Sequence, residues 1–155
     1  SSDLASSGDL AGAEALMGAA ARYRPMDASS HALHGAALGF LGRQADALAA
    51  YDRALAITPD DFDLLYQSAS MLQELDRVPE AIERFGRAIE LRPYDPSARF
   101  GRGAAYAITS QNDLARADLE RVLELDTRGT QYGNLATGFL DILGGLDAAA
   151  EAPKP

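Results

Sequence analysis

Cysteine and tryptophan are absent from the 155 residues, histidine occurs twice, and the only lysine is Lys154. Without cysteine there is no disulfide framework, no thiolate–zinc site and no thiol nucleophile, and nothing marks a redox compartment. No stretch approaches the roughly 18 consecutive apolar residues that a membrane-crossing helix needs, so direct membrane insertion is not expected. Positive charge is scarce: 14 Lys and Arg stand against 23 Asp and Glu, for a net charge of −9. That balance argues against nucleic acid as a partner, because sequence-independent binding needs cations clustered against phosphates. The sequence opens at Ser1 rather than Met, which reads as a processed or trimmed piece.

What is abundant is alanine, within a 47% hydrophobic composition that excludes a disordered chain. With arginine used almost to the exclusion of lysine, this composition suggests a GC-rich, bacterial source. The compartment stays open between cytoplasm and periplasm.

Much of the alanine is periodic. Ala13, Ala47, Ala81 and Ala115 are equally spaced. A few residues after each stands a large group: Met17, Tyr51, Phe85 and Leu119. Ala20, Ala54, Ala88 and Val122 keep the same step, as do Pro25, Pro59 and Pro93, with Thr127 where the series lapses. Upstream, Leu4, Leu38, Leu72, Tyr106 and Leu140 recur, beside the mostly small Ser1, Gly35, Ala69, Gly103 and Thr137. A fixed period of this length marks a stacked helical repeat. Gly8, Gly42, Asp76 and Ser110 fall where two helices of a unit must turn. The prolines follow a helical run that they cannot continue, and Asp60, Asp61 and Asp95 stand where the next helix needs a cap.

These residues resemble the tetratricopeptide repeat family. Its pattern is an aromatic, Leu-Gly and Tyr, then Ala, Phe, Ala and Pro, within a unit of about 34 residues. The resemblance covers nearly the whole chain. It implies an all-α, right-handed α-α superhelix, a solenoid of antiparallel helix pairs. Residues 1–27 read as a partial first repeat, 28–61 as the second, 62–95 as the third and 96–129 as the fourth. Residues 130–145 read as a capping helix ended by Gly144-Gly145, and 146–155 as a flexible tail.

No catalytic constellation is visible, and neither a metal nor a cofactor is expected. His31 and His34 have a chelating spacing, yet they fall on packing positions of the repeat. Gly101-Arg102-Gly103 follows no strand and lacks the third glycine of a nucleotide loop.

The resemblance points instead to protein–protein interaction through a concave groove lined by the first helix of each unit. Its positions here are Leu33, Ala36 and Phe40; Tyr66, Gln67, Ser70 and Gln73; Phe100, Ala104 and Ile108; and Asn134 in the last helix. Some family members hold the carboxylate end of chaperones with Lys and Asn at such positions. Ala32, Ala36, Gln67, Ser97 and Gly101 stand there in this chain, and none is a cation. Apolar burial at Leu33, Tyr66 and Phe100 is therefore the expected anchor of a peptide or helix partner, with Gln67, Gln73 and Asn134 orienting its backbone. Arg84, Arg87, Arg99 and Arg102 form the one basic concentration. Arg99 and Arg102 occupy positions usually apolar in the family. They form either ion pairs with Glu83, Glu90 or Asp118, or a patch for an anionic partner. The expected function is a non-catalytic adaptor, scaffold or chaperone-like module. Its alternatives are a self-associating structural repeat, forming a homo-oligomer, or the interaction domain of a longer enzyme or secretion or assembly component.

Overall fold

The structure, a computed structural model, describes residues 2–153, with side chains from residue 8 onward. Ser1 of the small-residue series, and Lys154 and Pro155 of the tail, lie outside the described residues. Among the described residues the regular structure is entirely helical: α1 (Ser2–Tyr23), α2 (Ala28–Phe40), α3 (Gln44–Ile57), α4 (Phe62–Glu74), α5 (Val78–Leu91), α6 (Pro96–Ile108), α7 (Asn112–Leu125) and α8 (Gln131–Glu151).

Local chemistry recurring at the repeat step sets the helix boundaries. Asp27, Asp61 and Asp95 are the N-caps of α2, α4 and α6. Their carboxylates accept from the backbone N–H groups of Ser29, Leu64 and Ser97, at 3.2, 3.0 and 2.9 Å. Each bond satisfies one of the donors that a helix start leaves without an intrahelical partner. The same three helices end on a left-handed residue, Gly42 (φ 74°), Asp76 (φ 61°) or Ser110 (φ 58°). The residue after each then donates back across the turn: Arg43 to the Leu38 carbonyl, Arg77 to Leu72 and Gln111 to Tyr106, at 2.9, 2.8 and 2.9 Å. This closure reverses the chain and starts α3, α5 and α7.

The chain divides into two compact units, Ser1–Arg84 and Phe85–Pro155. In the first, Leu38, Ala47, Ala50, Tyr51, Ala54 and Leu64 form the core. In the second, Ala115, Leu119, Val122, Ala136 and Leu143 do so, with Phe100, Tyr132 and Phe139 packed against them. Both cores depend on a glycine that lets a helix backbone approach a large side chain. A Cβ on Gly35 would stand 3.2 Å from the Tyr51 ring, and one on Gly103 would stand 3.1 Å from Leu119.

The two ends differ from the expected boundaries. Gly8, expected at a turn, lies inside α1, which is continuous from Ser2 to Tyr23. The segment before Gly8 is too short for a stable helix of its own. Extending one helix adds a backbone hydrogen bond per residue, whereas a separate short helix needs a new nucleus. At the other end α8 does not stop at Gly144-Gly145 but runs to Glu151. Helical glycine is unfavourable by only about 1 kcal/mol. Leu143 is anchored in the core, Asp147 pairs with Arg116 of α7, and the alanines at 148–150 favour helix. The helix gives way at Ala152 (ψ 137°), the residue before Pro153, where proline disfavours the helical conformation.

The glycines predict opposite outcomes for one chemical change. A Cβ on Gly101 would meet two atoms of the buried Phe85 ring at 2.6 Å, whereas one on Gly138 of α8 would meet nothing within 4 Å. Gly101→Ala should therefore destabilise by about 1–3 kcal/mol. Gly138→Ala should stabilise by roughly 0.5–1 kcal/mol. Urea denaturation of the two variants measures both.

Candidate functional site

In the first unit, three of the expected groove residues converge. Ala36 and Phe40 of α2 and Gln67 of α4 line one cavity of about 290 Å3, together with Gly39, Tyr51 and Met71. Phe40 is 80% exposed at this cavity although it is aromatic, and Leu33, on the same helix, is 56% exposed. The helix leaves both outside because its packing face is the one that carries His31, Gly35 and Leu38, which turn into the core. Burial pushes the Tyr51 phenol above its ordinary value, so that side chain stays neutral where it lines the cavity. Sequence reasoning assigned Tyr51 to packing alone and did not name Met71. The signal for Met71 is its place on α4 one turn after Gln67.

The other expected residues are placed as follows. Tyr66 is half-buried and its ring is stacked with Phe62, at 6.1 Å between centroids. Ser70 is half-buried and donates its hydroxyl hydrogen to the Tyr66 carbonyl at 3.1 Å, and Gln73 is half-buried. In the second unit Ile108 and Asn134 are exposed and Ala104 is buried. Phe100 is half-buried between Tyr132 and Phe139, with centroids at 5.9 and 5.7 Å. Its ring therefore joins α6 to α8.

Arg84, Arg99 and Arg102 sit in ion pairs. Asp118 of α7 is 5% exposed. Its carboxylate accepts from Arg102 Nε at 2.7 Å and Nη2 at 2.9 Å, and lies 3.5 Å from Arg99 Nη1. This two-pronged geometry is the strong form of the pair, and the Asp118 hydrogen bond holds the Arg102 guanidinium above its ordinary pKa. Arg102 also lies over the Tyr106 ring, 5.7 Å from its centroid. Arg84 pairs with Asp52 at 2.7 Å, and Arg87 is engaged as well. The departure from apolar residues at 99 and 102 thus has its physical reason in one buried carboxylate.

His31 and His34 do not converge on a third ligand. His31 Nε2 lies 3.1 Å from the Pro25 carbonyl and His34 Nε2 lies 2.8 Å from Glu14. Among the described residues no group of three or more His, Cys, Asp or Glu side chains is placed to hold a metal ion. No helix among them is long and apolar enough to cross a membrane.

With helix pairs recurring at a fixed step, the fold can be set beside known structures. A tetratricopeptide repeat protein from Parabacteroides merdae superposes with a TM-score of 0.78 at 26% identity, over 92% of this chain and 57% of that one. The chain has the tetratricopeptide-repeat fold. MamA superposes with a TM-score of 0.76 at 20% identity, over 90% of this chain and 83% of its own. The first repeat domain of Spaghetti (RPAP3), bound to the HSP90 peptide SRMEEVD, gives 0.71 at 25% identity, over 78% and 93%. No protein-family model and no curated protein matches the sequence. Within this fold, an arginine pair closed on a buried aspartate replaces the apolar contact expected at residues 99 and 102.

That replacement predicts an asymmetry. Asp118→Ala should cost about 3 kcal/mol, since it strands two partly buried guanidiniums. Glu124→Ala, which breaks the exposed pair with Arg121, should change stability by less than about 1 kcal/mol. Thermal denaturation of both variants at equal salt makes the comparison.

Proposed function

We propose that this chain is a non-catalytic protein-interaction module, an adaptor or scaffold, whose first unit receives an apolar side chain of a peptide or helical partner at Phe40. The observation that carries this reading is the cavity beside α2. An exposed aromatic stands at a recess lined by Gly39 and Met71 among others, with Gln67 as the polar group able to orient a backbone. Exposed aromatics next to a pocket are the usual anchors of recognition, and thioether side chains adapt to varied partners. The peptide bound to the RPAP3 domain supports a peptide as the class of partner. The groove positions of this chain lack the cations that would hold an acidic tail, which favours an apolar anchor here.

A second reading, self-association, has its own observation. Leu135, Ile142 and Leu146 lie exposed along one stripe of α8, at helical spacing. Sedimentation equilibrium across concentration separates the two readings.

Peptides selected from a random display library on the wild-type chain should contain a recurring large apolar residue. Phe40→Asp should weaken their binding by about 10- to 100-fold. Its melting temperature should not move, because Phe40 is exposed. Selected peptides that bind the variant equally well would refute the Phe40 anchor.

A further inference from the structure

A second cavity in the first unit lies apart from the Phe40 recess and uses none of its residues. It measures about 440 Å3 and is lined by Gly18, Ala21 and Arg22 of α1, His31 and His34 of α2, and Arg53 of α3. That volume falls within the range of small-ligand sites. Its charge is the reverse of the chain's. The whole sequence carries −9, yet the polar lining is two guanidiniums and two imidazoles.

The two guanidiniums of this cavity are not consumed by ion pairs, whereas His34 faces Glu14. Arg43, Arg77, Arg84, Arg99, Arg102, Arg116 and Arg121 each face a carboxylate. Arg22 and Arg53 face none among the described residues. Glu14, which touches the lining through His34 at 2.8 Å, also lies 3.8 Å from Arg43, so its charge is shared outside the cavity. Gly18 completes the shape: a Cβ there would stand 3.0 Å from His34 Nε2.

His31 supplies the independent sign of a ligand. It is 6% exposed. Its Nε2 lies 3.1 Å from the Pro25 carbonyl, an acceptor, which places the ring hydrogen on Nε2. Its Nδ1 is buried and has no hydrogen-bond partner. A buried polar atom left alone is unfavourable. With the ring hydrogen on Nε2, Nδ1 is an acceptor, and the O–H of an oxyacid group such as hydrogen phosphate, drawn in by the Arg22 and Arg53 guanidiniums, is a donor that can satisfy it.

We infer that this cavity is an oxyanion site, taking a carboxylate or phosphate group, built from residues other than those of the Phe40 recess. The chain has only two histidines, so ring-nitrogen NMR reads His31 directly. The full chain is titrated with inorganic phosphate, with a capped tri-aspartate peptide, and with chloride at matched ionic strength. A saturable shift of His31 Nδ1 is expected with at least one of the two oxyanion probes and not with chloride. Tighter binding of the peptide assigns the site to a peptide-borne carboxylate, and tighter binding of phosphate assigns it to phosphate. Arg22→Gln with Arg53→Gln should weaken the affinity by about tenfold or more, the worth of one or two charge-assisted hydrogen bonds. Both arginines are exposed and face no carboxylate among the described residues, so this double variant keeps the fold. Arg53→Gln alone should weaken binding in the same direction. Phe40→Asp should leave the affinity unchanged. The inference is overturned by no saturable shift with either oxyanion, by an equal shift with chloride, or by undiminished affinity without the two arginines.

Discussion

The contact on which the rest depends is the seating of a large side chain against a glycine of the preceding helix, Tyr51 on Gly35 and Leu119 on Gly103. A Cβ at either glycine would stand inside ordinary contact distance, so the two helices of a pair can approach this closely only because it is missing. Close approach brings Ala47 and Ala54 to full burial in the first unit, and Ala115 and Val122 in the second. One helix pair cannot cover its own apolar face. Each unit therefore resolves the same packing problem with neighbouring helices, and the residues left over on the outer faces are free to recognise something else.

Polar groups follow from that packing. Asp27, Asp61 and Asp95 each cap the start of a helix at the repeat step. The packing face of α2 then leaves Phe40 and Leu33 outward while Leu38 is buried. In the last unit the series lapses and Asp126 takes over: its carboxylate accepts from the Thr130 N–H at 2.8 Å. That carboxylate lies where a Cβ on Gly133 would sit, so glycine is required at the start of α8. Asp118 shows the opposite strategy, a buried charge kept because two arginines close over it.

The repeat step, the turns at Gly42, Asp76 and Ser110 and the caps at Asp61 and Asp95 were legible in the sequence, because each depends on backbone conformation and one side chain. Asp27 kept the same spacing and could have been read as the first of those caps. The continuity of α1 through Gly8 and of α8 through Gly144-Gly145 was not legible. Glycine permits a turn without requiring one, and the choice rests on whether anything packs against the far side. Among the site residues, Ala36, Phe40 and Gln67 were placed by the repeat register. Met71 and Tyr51 joined them only once α4 was laid beside α2 and α3.

Residue type at a known spacing was enough for the helical period and the alternation of small and large packing residues. Both are local or strictly periodic quantities. Which charges are paired, and which are not, depended on helices meeting in space. Arg22, His31, His34 and Arg53 share no period and come from three helices, and only the packing of those helices gathers them around one cavity. Arg99, Arg102 and Asp118 likewise sit on two helices, and burial, which no single residue specifies, turned a surface charge run into a closed ion pair.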